Sequence, residues 1–537
     1  MPALRAVGAG LASLLMLAAC SGAGGQQGSG GDSKTLIQVI SGDPATLNPA
    51  LTTGNPDLAV GCKIFEGLIR LDDKLQVQPG LAERWEISDD QLTYTFHLRE
   101  AVKWHDGKPF TADDVVWTYT NVTSKFHPRS GDAFGHVSSI EATDDRTVVI
   151  KLAEPYGPFL PLLTCSNAAV LPKHVYGDAE GDEILRHPRN KENPVGTGPF
   201  KFESWKTGRQ ITLTKNKDYW RSSEGMPYLD RVILQPMSDA QSAAAALEAG
   251  EVDVITDYTL DIRTFDRLKG AAGIKGRENT NFPANYVLIF NTTKAPFDDA
   301  RVRQAVAFAL DRDFIVEKVF LGYSNPGVSA IDTRIKWAHN PNIDYRTMYP
   351  HNPARAEELL DAAGYRRKGS GERFAITVPF TSEESAFNDV AQILRDHLGK
   401  VGITVKLEPL ERAVMLKKVF AEKNFDATVQ RYTTLGDPAI GIKRLYVSSA
   451  IGKQPFTNAS GYSNLKVDEL FRQGESVAGY DERAKPYFEV QEILARDLPT
   501  LVLNENPTKD LVREQVEGMW KAPDSMEWWE TVSIASE

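Results

Sequence analysis

The stretch QRYTTLGDP, residues 430–438, carries more polar chemistry than a connecting loop requires. Its one cation, Arg431, could hold an anionic group such as a carboxylate or phosphate, or could simply pair with a surface acid. Its one carboxylate, Asp437, lies in a Gly-Asp-Pro turn, where an Asp side chain commonly bonds its own backbone. The segment follows the β-like run FDATV and is predicted to be a loop.

A second polar cluster, TSEES at residues 381–385, follows the predicted strand FAITVPF. Glu383 and Glu384 could attract a cationic ligand. They could equally be a solvated helix start, because carboxylates are favoured at the positive end of a helix dipole. Both interpretations stay open at the level of sequence.

Catalytic motifs are missing from the sequence, which has no Gly-x-Ser-x-Gly, His-Glu-x-x-His, phosphate-binding P-loop or Cys-x-x-Cys pattern. His97 and His105 lie in a predicted strand and the loop after it, where a structural role is favoured over metal ligation. We therefore expect no enzyme, no cofactor and no metal site, and keep a secreted hydrolase as a distant alternative.

The amino terminus, MPALRAVGAGLASLLMLAAC, is typical of a secretory signal peptide, predicted to span residues 1–19. Leu-Ala-Ala-Cys resembles a bacterial lipobox, which would leave Cys20 as an acylated first residue; an ordinary signal cut with an incidental Cys is the alternative. Residues 20–33 are predicted to form a flexible Gly/Ser tether that spans roughly 20 Å. We expect a protein outside the cytoplasmic membrane, held there by lipid.

Composition is that of a globular chain, with 42% apolar and 25% charged residues in 537. A net charge of −11 without a long basic block argues against nucleic acid as a partner. Of three cysteines, Cys62 and Cys165 remain once Cys20 is acylated, and a disulfide between them is an open possibility in an oxidising compartment.

The coarse pattern of the chain mixes strands and helices throughout. LTYTFHLR, residues 92–99, alternates apolar and polar positions and is predicted to be a half-buried strand. Residues 298–322 have helical spacing and are predicted to form one helix, capped by Asp298 and ended by Gly322. Further helices are predicted within 351–365 and 388–402. The fold class is therefore α/β with mixed sheets.

Several segments in order resemble the peptide/nickel family of extracytoplasmic solute-binding proteins that serve ABC importers. They are GLAERWEISDDQLTYTFHLREAVKWHDGKPFTADDVVWTY, PVGTGPFKF, NTTKAPFDDARVRQAVAFALDRD, AEELLDAAGY and GYSNLKVDELF. The resemblance covers nearly all of the chain after the tether. It implies a two-lobe periplasmic-binding-protein-like fold of the large peptide-binding class. Lobe I would comprise 34–66, 195–283 and 505–537, with a subdomain inserted at 67–194, and lobe II would be 284–504.

The family also implies where peptide ends are held. In dipeptide- and oligopeptide-binding relatives an Asp near the Asp-Pro turn holds the ammonium, and that position is Thr434 here. Dipeptide binders use an Arg for the carboxylate, and that position is Thr381. Both ionic clamps are thus expected to be absent, unless a slip in alignment lets Asp437 take the amine.

Further ligand-binding candidates follow from the same resemblance. Asn285 and Tyr286 lie where relatives pass from lobe to lobe beside the ligand, and Tyr432 is in a similar position. Asp43 and Thr46 belong to the loop after the first strand, which lines the cleft in relatives.

The resulting expectation is a monomeric substrate-binding lipoprotein that captures a peptide-class solute between closing lobes and delivers it to permease subunits. The absent clamps favour an alternative within the same role, with a neutral oligosaccharide, an opine-like conjugate or a metal chelate as cargo.

Overall fold

The computed structural model of the protein describes residues 34–452, 454–523 and 526–535. The predicted signal peptide, Cys20 and the tether lie outside the described residues. Among the described residues, no helix combines the length and apolar character needed to cross a bilayer.

Twenty strands are described, numbered here in chain order. β1 to β20 are Thr35–Ile40, Ile69–Leu71, Val77–Pro79, Ala82–Ile87, Thr93–Leu98, Val137–Asp144, Thr147–Leu152, Phe200–Lys206, Gln210–Lys215, Arg231–Pro236, Val254–Thr256, Ile274–Phe290, Asn325–Pro326, Phe374–Thr381, Ile403–Leu410, Ala427–Thr433, Thr500–Glu505, Pro507–Arg513, Val516–Glu517 and Ser533–Ile534.

The α-helices are numbered in the same way within the described part of the chain. α1 to α18 are Asn55–Ile64, Ala112–Thr118, Ser124–Phe126, Ser130–Phe134, Cys165–Ala168, Lys173–Tyr176, Glu183–Arg186, Ala240–Ala249, Ile262–Leu268, Ala300–Ala309, Arg312–Phe320, Tyr345–Met348, Pro353–Ala362, Ser385–Lys400, Arg412–Leu416, Pro438–Gly441, Leu465–Glu475 and Tyr480–Asp497.

The main sheet runs through both lobes of the fold. Its order is β13-β17-β12-β18-β11-β1-β10-β9-β8, and β16 also pairs with β12. The first part of β12 pairs with β18, whereas residues 284–290 pair with β16 and β17. A second crossing occurs where β17 passes into β18 at Asn506. Two adjacent extended segments therefore join lobe I to lobe II.

In lobe I, helices cover both faces of the sheet. Leu36 and Ile40 of β1 belong to one apolar cluster, which also contains the buried side of α1. Val39 points to the opposite face, because side chains alternate along a strand. There it joins Leu247 of α8 and Phe265 of α9 in a separate cluster.

Lobe II repeats this arrangement on the far half of β12. Leu288 and Phe290 pack into a cluster that includes α10, α11 and α14. Val287 and Ile289 face a different cluster that includes α17 and α18. The predicted α/β class and the two-lobe fold are confirmed, while the exact lobe boundaries stay a prediction.

The inserted segment builds its own antiparallel sheet, in the order β4-β5-β7-β6. Tyr94, Phe96 and Leu98 of β5 are buried and their neighbours are half-buried, so the predicted strand is confirmed. Cys62 of α1 forms a disulfide with Cys165, across a Cα–Cα distance of 5.7 Å. This bond links the insertion to lobe I. The Cys165 side chain also packs in the apolar core of lobe I.

The single helix predicted over 298–322 is wrong. The structure has two helices, α10 and α11, because Leu310 adopts an extended conformation (φ −91°, ψ 126°). Asp311 then caps α11 by accepting a hydrogen bond from the Phe314 amide at 2.9 Å. The first cap is also not Asp298 but Asp299, which accepts from the Arg301 amide at 2.8 Å.

The loop predicted at the start of QRYTTLGDP is wrong as well. Residues 430–433 continue strand β16, because β12 offers backbone partners along this whole length. The register places Arg431 opposite Tyr286 and Tyr432 opposite Asn285. The polar side chains of this segment are therefore held on a strand beside the crossing.

Glu505 ends β17, just before the second crossing, and its carboxylate is almost completely buried. It accepts hydrogen bonds from the Thr333 amide at 3.2 Å and from the Thr333 hydroxyl. Burial, and then repulsion from Asp332, raises the pKa of Glu505 well above its ordinary value of 4.5. The charged form is thus disfavoured in the folded protein.

This raised pKa predicts a pH-dependent stability. The folded state binds the proton of Glu505 more tightly than the unfolded state does. The stability contributed by this protonation is therefore complete below pH 4.5 and is lost as the pH rises through the raised pKa. The Glu505→Gln side chain does not ionise and should not show this loss. The free energy of unfolding of the variant, relative to that of wild type, should therefore increase between pH 4.5 and 8. Urea unfolding across that range measures the difference. The exposed control Glu86→Gln should track wild type; parallel curves for Glu505→Gln and wild type would contradict the assignment.

Candidate functional site

A cleft opens between the two lobes, directly beside the crossing strands. Its main chamber has a volume of about 920 Å³ and a smaller adjoining chamber about 280 Å³. The two chambers share six lining residues: Ser238, Asp239, Tyr258, Glu383, Glu384 and Arg431. They therefore form one continuous space.

All three parts of the chain contribute to the main chamber. Lobe I supplies Ser41, the residues that begin α1, and Pro523, Met526 and Glu527, while the insertion supplies Leu71, Leu75, Thr164, Ser166 and Asn167. Lobe II supplies the end of β14, the start of α15 and β16. A space enclosed in this way changes its shape when the lobes move relative to each other.

Contacts join the opposite sides around this space. The Gly157 amide of the insertion donates to the Glu475 carbonyl at 2.7 Å. Near the crossing, the Tyr323 hydroxyl of lobe II donates to Asp266 Oδ1 of lobe I at 2.6 Å. The structure thus shows the cleft with its two faces in contact.

Arg431 makes a largely buried charge contact between the lobes. Its guanidinium pairs with Asp257, which follows β11 in lobe I, and lies 3.9 Å from Glu384. The second oxygen of Asp257 accepts from the Lys509 amide at 3.0 Å. Burial alone lowers the pKa of Arg431, but the combined attraction of Asp257, Tyr286 and Glu384 outweighs it and the pKa is raised. Arg431 is thus paired with an enclosed acid rather than with a surface acid.

Tyr286 lines the smaller chamber. Its ring lies between Phe320 and Phe387, at centroid distances of 4.9 and 5.1 Å. Its hydroxyl donates to Glu384 Oε2 at 3.2 Å, and burial raises the pKa of this phenol. Glu384 occupies the N-cap position of α14, so it is both a helix start and a partner of cleft side chains.

Lys509 gives the smaller chamber a buried amine. Its ammonium donates to Asn506 Oδ1 at 3.1 Å and to the Pro507 carbonyl at 2.7 Å. Burial lowers the pKa of Lys509 to about 8. The crossing segment thus carries a titratable group into the cleft.

Of the other candidates from the sequence, Thr381, Glu383 and Tyr432 line the main chamber. Glu383 Oε1 accepts from the Arg412 amide at 3.2 Å. Thr381 is almost completely buried, at 1% exposure.

Five candidates are not among the residues that line the described chambers. Asp43 accepts from Trp205 Nε1 at 3.1 Å and the Gly208 amide at 2.7 Å, on an exposed surface. Thr46 donates to the Asn190 carbonyl at 3.2 Å. Asp43 thus supports a loop of lobe I, and Thr46 links lobe I to the insertion.

The remaining three are held inside lobe II. The side-chain amide of Asn285 donates to Asp332 Oδ2 at 2.6 Å and accepts from the backbone amide of Asn506 at 2.9 Å. It therefore links the two crossings. Asp437 caps α16 and accepts from Arg483 Nη2 at 2.7 Å. Thr434 is buried, and its hydroxyl has no hydrogen-bond partner among the described residues.

Sequence reasoning missed several lining residues, including Arg412, Arg444, Phe456 and Lys509. They are scattered over nearly one hundred residues and share no motif. The signal that unites them is spatial: each lines one of the two chambers.

The Arg431–Asp257 pair should stabilise the joined lobes. Arg431→Gln leaves a largely buried carboxylate without its cation, which typically costs about 3 to 5 kcal/mol. Urea unfolding should show this loss, and Asp257→Asn in the same chain should recover part of it. Arg301→Gln removes an exposed pair with Asp299 and should cost less than about 1 kcal/mol. Equal losses in Arg431→Gln and Arg301→Gln would refute the role of the pair.

Comparison with known proteins identifies the type of cleft. The family described as bacterial extracellular solute-binding proteins, family 5, matches residues 76–453. The oligopeptide-binding protein AppA of Bacillus subtilis is 28% identical over an alignment of 540 positions. The alignment covers 96% of this chain and 96% of AppA.

Solved structures agree with this match. The periplasmic binding protein DppA of Helicobacter pylori, in complex with the peptide STSA, superposes with a TM-score of 0.79 at 27% identity, covering 94% of this chain and 98% of that one. NikZ of Campylobacter jejuni, in complex with Ni(L-His), gives 0.79 at 25% identity, covering 93% and 99%. The chain therefore belongs to family 5 of the bacterial extracellular solute-binding proteins.

Proposed function

We propose that this protein captures a peptide-class solute between its lobes and delivers it to the permease of an ABC importer. The observation that carries the proposal is the enclosed chamber of about 920 Å³ whose walls come from both lobes and the insertion. Such a volume matches a small-molecule site that buries most of its ligand's surface. A solute that touches both lobes favours the joined arrangement through contacts that only this arrangement offers.

The lobes are connected in a way that suits this mechanism. Two neighbouring extended segments cross between them, and rotation about such segments moves each lobe as a body. The joined form presents a surface that differs from the open form, which a permease can recognise. No bond needs to be made or broken in the solute.

Short peptides should therefore raise the melting temperature of the purified protein. A ligand at a hundred times its dissociation constant adds about 2.7 kcal/mol of stability. Thermal-shift screening of peptide pools, neutral oligosaccharides and metal chelates measures the preference, and mass spectrometry of the bound peptide checks that it stays intact. Stabilisation by sugars or chelates alone would contradict the peptide proposal, and steady consumption of the peptide would indicate a hydrolase.

A non-peptide cargo is the second candidate for the same role. The observation that favours it is the presence of Thr381 and Thr434 where the family resemblance implies ionic clamps for peptide ends. NikZ, a structural relative, holds a metal complex of a single amino acid. The screen above separates the two cargo classes.

We also propose that the protein is a monomer anchored through acyl chains on Cys20 at the outer side of the cytoplasmic membrane or in the periplasm. The support is the sequence Leu-Ala-Ala-Cys followed by a Gly/Ser tether. More than one acyl chain makes such attachment durable.

Cys20→Ala should abolish the anchor without affecting solute binding. The variant should move from the membrane fraction to the soluble envelope fraction or the medium, because the lipid attachment point is gone. Ser21→Ala is the matched control and should stay with the membrane. A Cys20→Ala protein that remains in the membrane fraction would overturn the anchor.

A further inference from the structure

One wall of the main chamber carries two arginines stacked on two aromatic rings. The Arg444 guanidinium lies 5.6 Å from the Tyr432 ring centroid, and the Arg412 guanidinium lies 5.5 Å from that of Phe456. The two rings meet edge to face at 6.0 Å. All four residues line the main chamber.

Neither arginine forms an ion pair within the described part of the chain. Arg444 donates through Nε to the Gly441 carbonyl at 3.2 Å, which leaves its two terminal nitrogens without a hydrogen bond there. Arg412 has only its ring contact, although its backbone amide reaches Glu383. Arg431, in contrast, is already neutralised by Asp257.

Among the described residues, the surroundings of Arg444 contain no compensating acid. Burial lowers the pKa of this guanidinium, and Tyr432 is the one group that acts in the opposite direction. An enclosed cation without a counter-charge is costly, and an anion that enters the chamber offsets that cost. The planar fork of an arginine suits a carboxylate or a phosphate in particular.

The scaffold under Arg444 is rigid. The short helix α16 precedes it and is capped by Asp437, which is itself fixed by Arg483 at 2.7 Å. Arg483 is 1% exposed and also donates to the Gly474 carbonyl at 2.7 Å. The guanidinium is thus held in place before a solute arrives, which lowers the entropic cost of binding.

We infer that Arg444, assisted by Arg412 at the exposed end of the wall, holds an anionic group of the cargo against Tyr432 and Phe456. This inference rests on the proposed function and narrows the cargo to solutes that carry a carboxylate or phosphate. Arg444 and Arg412 lie at positions other than Thr381 and Thr434. The cleft thus offers an ionic contact at a different place from the clamps of the dipeptide- and oligopeptide-binding relatives.

Native mass spectrometry and titration calorimetry test the inference with two sets of probes. The first is a peptic digest of serum albumin, used as free acids and after methyl esterification of all carboxyl groups. The second is a protease-treated yeast extract, divided by anion exchange into retained and unretained solutes. The second set separates phosphate-bearing and other non-peptide anions from peptides.

Wild type should capture free-acid peptides and lose them on esterification. Arg444→Gln should bind the captured free acids roughly ten- to a hundredfold more weakly, since a charge-assisted hydrogen bond is lost. Arg444→Lys should recover part of this loss. The control Arg84→Gln, an exposed arginine outside the cleft, should match wild type.

The outcomes of these experiments test the anion site and the peptide cargo separately. Capture of only anion-exchange-retained solutes from the extract, weakened by Arg444→Gln, would support the anion site and contradict the peptide cargo. Capture of esterified peptides as tightly as free acids, or equal affinities of wild type and Arg444→Gln, would overturn the anion site and leave the peptide cargo standing. Failure to capture any solute from either set would count against both. If Arg444→Gln does not fold, Arg444→Lys decides in its place: an affinity for the free acids equal to that of wild type would overturn the role of the guanidinium.

Discussion

Strand β12 is the constraint on which the rest of the structure depends. Its backbone is paired over most of its seventeen residues, and the partners change from β18 to β16 and β17 at residue 284. The two lobes are therefore joined by continuous extended chain rather than by a loose linker. The cleft then has to lie beside the crossing, and the register decides which side chains reach it, with Tyr286 opposite Arg431.

Charges in the cleft fall into two groups that serve different ends. Arg431 and Asp257 come from different lobes and satisfy each other, so they favour the joined arrangement without any solute. The side chains of Arg444 and Arg412 come from lobe II alone and form no ion pair among the described residues. The pair of Arg431 and Asp257 stabilises the joined lobes. Arg444 and Arg412 remain available to a solute that enters the cleft. Selectivity and closure can thus be adjusted by different residues.

The sequence predicts those features that depend on neighbouring residues. Alternation over residues 92–99 identifies strand β5, and the helical spacing within 388–402 identifies part of α14. Features that depend on distant partners were not predictable: residues 430–433 are a strand because β12 lies beside them. The break at Leu310 depends on how Asp311 caps the following helix, a choice that apolar periodicity does not encode.

The same distinction explains the candidate site. Tyr286, Thr381, Glu383, Arg431 and Tyr432 lie beside the crossing, and the structure places them on the cleft. Asp43, Thr46 and Asp437 instead have hydrogen-bond partners that no spacing in the sequence reveals. Arg444 was missed because its significance is the lack of a nearby acid, and that is a property of the folded chain alone.

Small-angle X-ray scattering tests the central claim, that two lobes close on a solute, most directly. The radius of gyration would be measured on protein stripped of bound solute by partial unfolding and refolding, and again after saturation with the solute that stabilises it. The account predicts a smaller radius of gyration in the saturated protein, because the lobes approach each other about the crossing strands. An unchanged radius at full saturation would contradict closure as the basis of capture.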